Sequence, residues 1–168
     1  MTFRVEALGA NHDLEPFDCG NPDLDGWLKR HAFNARGQGT RTYVLIEVDS
    51  GSVAGYFALA PHLVTRDEAP KRISRGAPAQ IPAILLAKLA LDRRFQRRGL
   101  GAELLVHALV RIVDAAKTAG GKLVLVDAID ESAAAFYEHH DFVPFPDEGS
   151  RLVMKISTAA KALGLPWP

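Results

Sequence analysis

The sequence predicts an α/β (α+β) domain built around a single β-sheet. Runs rich in β-formers, such as "TRTYVLIEV" and "KLVLVDAI", alternate with segments of helical periodicity, a pattern typical of mixed sheets with crossover helices. The 168 residues, 48% of them apolar, suit one globular domain covering residues 1–168. Its single cysteine, Cys19, and the lack of a long apolar run or leader-like start predict a cytoplasmic protein.

The N-terminal half is predicted to contain a strand, a helix and a hairpin. "FRVEAL" alternates as a short strand does, and the segment that follows places Trp27 and Leu28 on one helical face. Two β-rich runs, "TRTYVLIEV" and "VAGYFALAPHLV", are joined by the turn residues 49–52, which predicts a hairpin. Residues 65–82 contain three prolines and four basic residues and are predicted to form a loop.

The C-terminal half is predicted to place two helices between three strands. The continuous apolar run "AILLAKLAL" is typical of a strand covered on both faces. Apolar residues then recur at helical spacing from Leu100 to Ala116, and Gly120 and Gly121 end that helix. "KLVLVDAI" predicts a buried strand, "DESAAAFYEHH" a short helix capped by Asp130, and "RLVMKIS" a last strand.

Charge is distributed unevenly along a chain whose formal net charge is zero. Residues 29–98 contain 13 Lys and Arg against 5 Asp and Glu, whereas the rest contains 7 against 15. This asymmetry favours one surface for a polyanion, although charges scattered over a solvated surface would produce the same counts.

The stretch "DRRFQRRGLGAELL" places a Gly-x-Gly turn between a strand and a helix. The N-terminus of a helix offers unpaired N–H groups and partial positive charge, and glycines let a phosphate approach the backbone closely. A Walker loop is excluded because Ala102 and Glu103 follow Gly101, and a dinucleotide fingerprint is excluded because Leu104 occupies its third glycine position. The stretch therefore predicts a phosphate-binding loop of another kind.

The hexapeptide "QRRGLG" in this setting resembles the pyrophosphate loop of GCN5-related N-acetyltransferases, the GNAT family. "LAKLALD" resembles that family's central strand, and "AIDESAAAFYEHHDF" its following strand end and helix. The resemblance implies the GNAT fold, a single mixed and mostly antiparallel sheet with a splayed central strand, flanked by about four helices. It also implies acetyl-CoA as co-substrate, and no spacing of ligands suggests a metal.

The resemblance also implies roles for individual residues. The N–H groups of Leu89 and Leu91 would hold the pantetheine arm and the thioester carbonyl, and Tyr137 would protonate the coenzyme A thiolate. Two positions depart from the family pattern, since Ser132 replaces a common asparagine and Asp141 a common glycine. The implied cofactor-binding residues are Leu89, Ala90, Leu91, Gln96, Arg97, Arg98, Gly99, Leu100, Gly101, Ala102, Ser132 and Phe136.

Most of residues 11–147 is similar to a narrower group, the acetyltransferase toxins of toxin–antitoxin operons. The segments that carry this similarity include "FDCGNPDLDGWLKRHA", "GYFALAPHLV" and "VDAIDESAAAFYEHHDFVPFPD". It implies acetylation of the α-amine of aminoacyl-tRNA, a small DNA-binding antitoxin of the ribbon-helix-helix type and a homodimer. The candidate tRNA contacts are Arg66, Lys71, Arg72, Arg75, Arg93 and Arg94.

The predicted central strand contains no carboxylate that would serve as a general base. An α-amine with a pKa of about 7.7 to 8.0 is partly neutral unaided, whereas a lysine amine near 10.4 needs a base, so the strand favours an α-amine acceptor. A base from elsewhere, with His62 at the end of its predicted strand as the candidate, would remove that preference. A small-molecule or peptide acceptor and a non-catalytic acetyl-CoA- or antitoxin-binding module stay open as alternatives.

Overall fold

The computed structural model describes residues 1–168 and contains one seven-stranded mixed sheet in the order β1-β2-β3-β4-β5-β7-β6. The strands are β1 (Phe3–Ala7), β2 (Arg41–Glu47), β3 (Val53–Thr65), β4 (Gln80–Leu91), β5 (Leu123–Asp127), β6 (Val143–Pro144) and β7 (Arg151–Lys155). The helices are α1 (Pro22–Arg30), α2 (Ala32–Ala35), α3 (Lys71–Ser74), α4 (Leu100–Ala119), α5 (Glu131–His139) and α6 (Ile156–Leu163). The predicted single mixed sheet is confirmed. None of the helices combines the length and the apolar composition that a membrane span requires.

The chain divides into two compact units, of which the first comprises residues 1–60 and 87–108. In this unit β1 pairs antiparallel with β2, and β2 with β3, so the predicted hairpin is confirmed. Helix α1 begins at Asn21, whose side chain accepts hydrogen bonds from the N–H groups of Asp23 and Leu24. The buried Tyr56 packs against this helix and donates its hydroxyl to the Leu24 carbonyl at 2.7 Å.

Gly55 on β3 allows two backbones to approach closely inside the first unit. A Cβ atom at this position would lie 2.9 Å from the carbonyl oxygen of Ala90 and 3.0 Å from Cδ2 of Leu91. Because both distances are shorter than a normal van der Waals contact, only glycine fits without movement of β4. The position of the end of β4 therefore depends on this glycine.

The second unit comprises residues 61–86 and 109–168. Here Ala83–Leu86 of β4 pair in parallel with Leu123–Val126, and β7 pairs antiparallel with both β5 and β6. The predicted cap of α5 is confirmed, since the Asp130 carboxylate accepts from the Ala133 N–H at 2.8 Å. Asp141 adopts a left-handed backbone with φ of 71°, as expected of an aspartate in the place of a turn glycine.

Four predictions about the elements are wrong or incomplete. Residues 65–82 are not all loop, because they contain a 3₁₀ turn, α3 and the start of β4. Strand β4 is covered less completely than its apolar run predicts, since four of its twelve residues are buried and six are partly buried. His62 lies inside β3 rather than at its end. Helix α6 was missed, although Gly164 with φ of 68° caps it as a glycine after a helix commonly does.

Candidate functional site

The segment Asp92–Leu100, here called the phosphate loop, begins at a buried carboxylate. Asp92 is 2% exposed, and its side chain accepts from the N–H of Asp18 at 3.0 Å and from the N–H and Nε of Arg94, both at 2.9 Å. Burial alone would raise the pKa of Asp92, but the hydrogen bonds from Arg94 and Asp18 outweigh it and lower the pKa. This ionised side chain fixes where the loop leaves β4.

Gln96 closes the same loop from its other side. Its side-chain Nε2 donates to the carbonyl oxygen of Leu91 at 2.8 Å and to that of Cys19 at 2.9 Å. Arg93 reinforces the attachment, because its N–H donates to the Asp18 carbonyl at 2.8 Å. The amide nitrogen of Gln96 therefore binds the protein's own carbonyls, and its side chain shapes the loop.

The backbone of the phosphate loop twice enters the left-handed region before α4 begins. Arg97 has φ of 63° and Gly99 has φ of 76°. Left-handed residues in a tight turn orient their N–H groups toward an anion, and the first N–H groups of the following helix have no partner within the helix. A Cβ atom at Gly99 would meet nothing within 4 Å, so the loop is open to a ligand at this point. The geometry of this segment fits a phosphate group.

The end of β4 is partly open and contains no acid. Ala90 is buried, whereas Leu89 and Leu91 are only partly buried. Lys88 lies with its Nζ 5.4 Å from the centroid of the Trp27 ring, a cation–π contact. The strand that the resemblance assigns to the thioester thus contains no carboxylate, and its one lysine contacts an indole ring.

Tyr137 lies on α5 in the second unit, among aromatic rings. Its ring centroid is 5.3 Å from that of Phe136 and 5.4 Å from that of Phe142, both edge to face. The residue is 8% exposed, its hydroxyl makes no hydrogen bond within the protein, and burial raises its pKa. Tyr137 is therefore a neutral phenol able to donate a proton. Ser132, at the start of the same helix, is exposed.

The six basic residues predicted to contact tRNA differ in their partners. Three are engaged within the protein, since Arg93 pairs with Asp18, Arg94 pairs with Asp92, and Arg66 donates to the Ala77 carbonyl at 3.0 Å. The other three, on α3 or at its C-terminal cap, are exposed and form no ion pair; they are Lys71, Arg72 and Arg75. Sequence charge alone did not distinguish these two groups.

Asp92 is the residue that the sequence interpretation missed. Its partner Asp18 lies 74 positions away, so no local pattern links them. The available signal was a carboxylate directly after an apolar strand and before two arginines. Cys19 packs against the hydrophobic core of the first unit, and burial raises the pKa of its thiol to about 11.

Comparison with known proteins defines the class of this chain. The family model described as an acetyltransferase (GNAT) domain matches residues 38–144. The chain belongs to the GNAT acetyltransferase family. It is 39% identical over 153 residues to a tRNA-acetylating toxin of Mycobacterium tuberculosis, a match that covers 90% of this chain and 91% of that protein.

Two solved structures share the fold over nearly the whole chain. AtaT complexed with acetyl-methionyl-tRNAfMet superposes with a TM-score of 0.87 at 28% identity, covering 96% of this chain and 99% of that chain. A tyrosine-to-phenylalanine variant of AtaT, bound to the C-terminus of the antitoxin AtaR and to acetyl-CoA, gives a TM-score of 0.82 at 28% identity, with 96% and 98% covered. The GNAT fold expected from "QRRGLG" and its neighbours is confirmed.

Proposed function

We propose that this protein transfers the acetyl group of acetyl-CoA to the α-amine of aminoacyl-tRNA and thereby blocks translation. The observation that carries the proposal is the 39% identity to a tRNA-acetylating toxin, which extends over 90% of the chain. The fold shared with AtaT, a protein solved with acetyl-methionyl-tRNAfMet, supports the same substrate class.

The phosphate loop is the proposed binding site for the coenzyme A pyrophosphate. Its left-handed turn at Arg97 and Gly99 and the N-terminus of α4 provide N–H donors, and the ion pair of Asp92 with Arg94 holds them in place. The remaining cofactor contacts implied by the resemblance are kept as part of this proposal. They are Leu89, Ala90, Leu91, Gln96, Arg98, Leu100, Gly101, Ala102, Ser132 and Phe136.

Tyr137 is the proposed general acid. As the acceptor amine bonds to the acetyl carbon, the carbon–sulfur bond breaks and the sulfur takes the proton of the Tyr137 hydroxyl. The proton released by the amine returns the tyrosine to its neutral form. Burial keeps Tyr137 protonated until this step, because its pKa is raised.

The acceptor is proposed to be an α-amine because β4 lacks a base. Lys88 is the only ionisable residue of the strand, and its cation–π contact with Trp27 gives it a structural role. An α-amine is already partly neutral near pH 8, unlike a lysine side chain. The exposed cations Lys71, Arg72 and Arg75 then contact tRNA phosphates, and Arg66, Arg93 and Arg94 supply charge while engaged in the protein.

The same proposal includes the protein's localisation, its oligomeric state and its antitoxin partner. Residues 1–168 act as one catalytic domain in the cytoplasm, as a homodimer, neutralised by a small ribbon-helix-helix antitoxin. The AtaT variant bound to a C-terminal segment of its antitoxin AtaR supports a partner of this kind.

An acetyl-transfer assay tests the proposed function. The protein is incubated with radiolabelled acetyl-CoA and charged bulk tRNA, and the label is expected on N-acetyl-aminoacyl-tRNA, identified after hydrolysis and mass spectrometry. Deacylated tRNA, which lacks the α-amine, should acquire no label. Label found only on small amines or peptides added in parallel would replace this function with that of a small-amine acetyltransferase.

A further inference from the structure

The second unit contains a small cavity lined by cations and no carboxylate, here called the basic pocket. Its volume is about 220 Å³, and the residues that give it chemical character are Arg75, Lys122, Lys155, Ser157 and Trp167. None of them belongs to the phosphate loop or to the residues assigned above to coenzyme A. The sequence predicts no functional role for Lys122, Lys155, Ser157 or Trp167.

The three cations of the basic pocket are not neutralised by the protein. Arg75, Lys122 and Lys155 form no ion pair, whereas Arg151 in the same unit is paired with Asp127 at 2.8 Å. A neighbouring cavity that shares Lys155 differs in this respect, because Glu138 and Asp141 line it. Of these two cavities, only the basic pocket has a lining of a single charge sign, which favours an anionic occupant.

The backbone around the basic pocket adds to its positive field. Helix α6 begins there, and its N-terminal cap, Lys155, provides no side-chain hydrogen bond to the helix. The Ile156 N–H donates to the Lys122 carbonyl at 2.9 Å and is therefore not available to a ligand. The next residue, Ser157, lines the pocket and offers its hydroxyl and its backbone N–H. An anion in this pocket would accept from these donors as well as from the three side chains.

The size of the basic pocket limits the ligand. Pockets that enclose whole drug-sized molecules measure about 300 to 1,000 Å³, so a cavity of about 220 Å³ suits no more than one nucleotide unit. Trp167 is partly buried in the lining and offers an aromatic face on which a base can stack.

We propose that the basic pocket binds one nucleotide unit of the tRNA, with its phosphate on Arg75, Lys122 and Lys155 and its base against Trp167. The inference rests on the proposed function only for the identification of tRNA as the molecule to which the nucleotide belongs. The pocket is a second anchoring point, distinct from the residues that perform acetyl transfer, and it increases affinity without selecting sequence.

Binding of deacylated tRNA tests the site independently of acetyl transfer. In the double variant Lys122→Ala, Lys155→Ala, the Kd for deacylated tRNA should rise about tenfold at physiological salt, and the log–log salt slope should fall in magnitude by about 1.4 to 1.8. The matched control is Lys117→Ala, Lys161→Ala, which removes the same charge from exposed helix positions outside the pocket. Thermal melting of both variants confirms that they are folded.

Two ligand arms separate the possible sources of the nucleotide. Coenzyme A and dephospho-coenzyme A differ only in the 3′-phosphate, so the ratio of their Kd values measures what that phosphate contributes to binding. If the pocket serves tRNA, this factor should be the same in the wild type and in the double variant. A factor that disappears in the variant would assign the pocket to the coenzyme's 3′-phosphate and overturn the inference. Micromolar binding of adenosine monophosphate that is lost in the variant while tRNA affinity is unchanged would assign the pocket to a free nucleotide and overturn the inference. Unchanged affinity for both ligands would remove the site altogether.

Because deacylated tRNA has no acceptor amine, failure here leaves the proposed function intact. Conversely, tRNA binding that depends on the two lysines would stand even if the acetyl-transfer assay labelled only small amines.

Discussion

The phosphate loop and the surroundings of Tyr137 are built from opposite kinds of contact. The loop is held by directional polar bonds, those of the Asp92 carboxylate and of the Gln96 amide to carbonyls of Leu91 and Cys19. The Tyr137 side chain forms no hydrogen bond and packs edge to face against Phe136 and Phe142. The hydroxyl of Tyr137 is therefore removable without loss of structure, whereas a polar change at the loop alters its shape and its ligand binding together.

The largest effect is expected from Tyr137→Phe. Removing the proposed general acid should lower turnover by about 10² to 10⁴-fold, with acetyl-CoA affinity nearly unchanged, since the ring and its packing are kept. Steady-state kinetics and calorimetry measure the two quantities. Tyr56→Phe is the control, because it removes the hydroxyl that donates to Leu24 and should reduce stability by about 1 kcal/mol but not turnover. Wild-type turnover in Tyr137→Phe would remove this residue from the chemistry.

An intermediate effect is expected from Gly99→Val. The substitution adds a branched side chain at φ of 76°, where the loop opens to the proposed pyrophosphate, and should weaken acetyl-CoA binding by about tenfold or more. Gly51→Val is a matched control, since Gly51 has φ of 73° and equally open surroundings but lies in the β2–β3 turn. Both variants should lose about 1 to 2 kcal/mol of stability from backbone strain, and only the first should lose coenzyme. Equal coenzyme affinities in calorimetry would contradict the loop assignment.

The smallest effect is expected from Asp92→Asn, which weakens the loop's attachment without touching a ligand. Because the pKa of Asp92 is lowered in the folded state, its contribution to stability is present above the unfolded pKa near 3.9 and is lost as pH falls through the folded pKa. The variant should therefore lose about 1 to 2 kcal/mol at neutral pH and show a flatter decline below about pH 4, measured by denaturant unfolding. Asp127→Asn, at a more exposed ion pair, should lose less than about 1 kcal/mol. An unchanged acid limb in Asp92→Asn would show that this carboxylate does not anchor the loop.

Much of the fold was predictable because its signals are local. The turn at residues 49–52, the cap at Asp130 and the glycines after α4 each depend on neighbours in sequence, and all are confirmed. Strand β4 shows where local reasoning fails. An apolar run indicates that a strand tolerates burial, but it does not indicate which parts of the chain cover the strand.

The sequence predicted the phosphate loop but not the hydrogen bonds that hold the loop in place. "QRRGLG" marks the phosphate loop, yet the bond from the Asp18 N–H to Asp92 joins distant positions and depends on the fold. The same limit applies to charge, since Arg94 and Arg72 look equivalent in sequence and only Arg94 has a buried carboxylate partner. A charge reversal at Arg94 would therefore disturb the phosphate loop, and its effect on RNA binding could not be separated from that disturbance.

Gly55 is a position at which substitution is expected to inactivate this enzyme, although the residue is not proposed to touch a substrate. Any side chain at this position meets the Ala90 carbonyl at 2.9 Å and must displace the end of β4, the segment proposed to bind the thioester. An allele changed at Gly55 loses the alignment of the strand while every residue proposed to touch substrate is preserved. Inactivating substitutions are therefore expected at this interior glycine as well as at the positions proposed to touch the substrates.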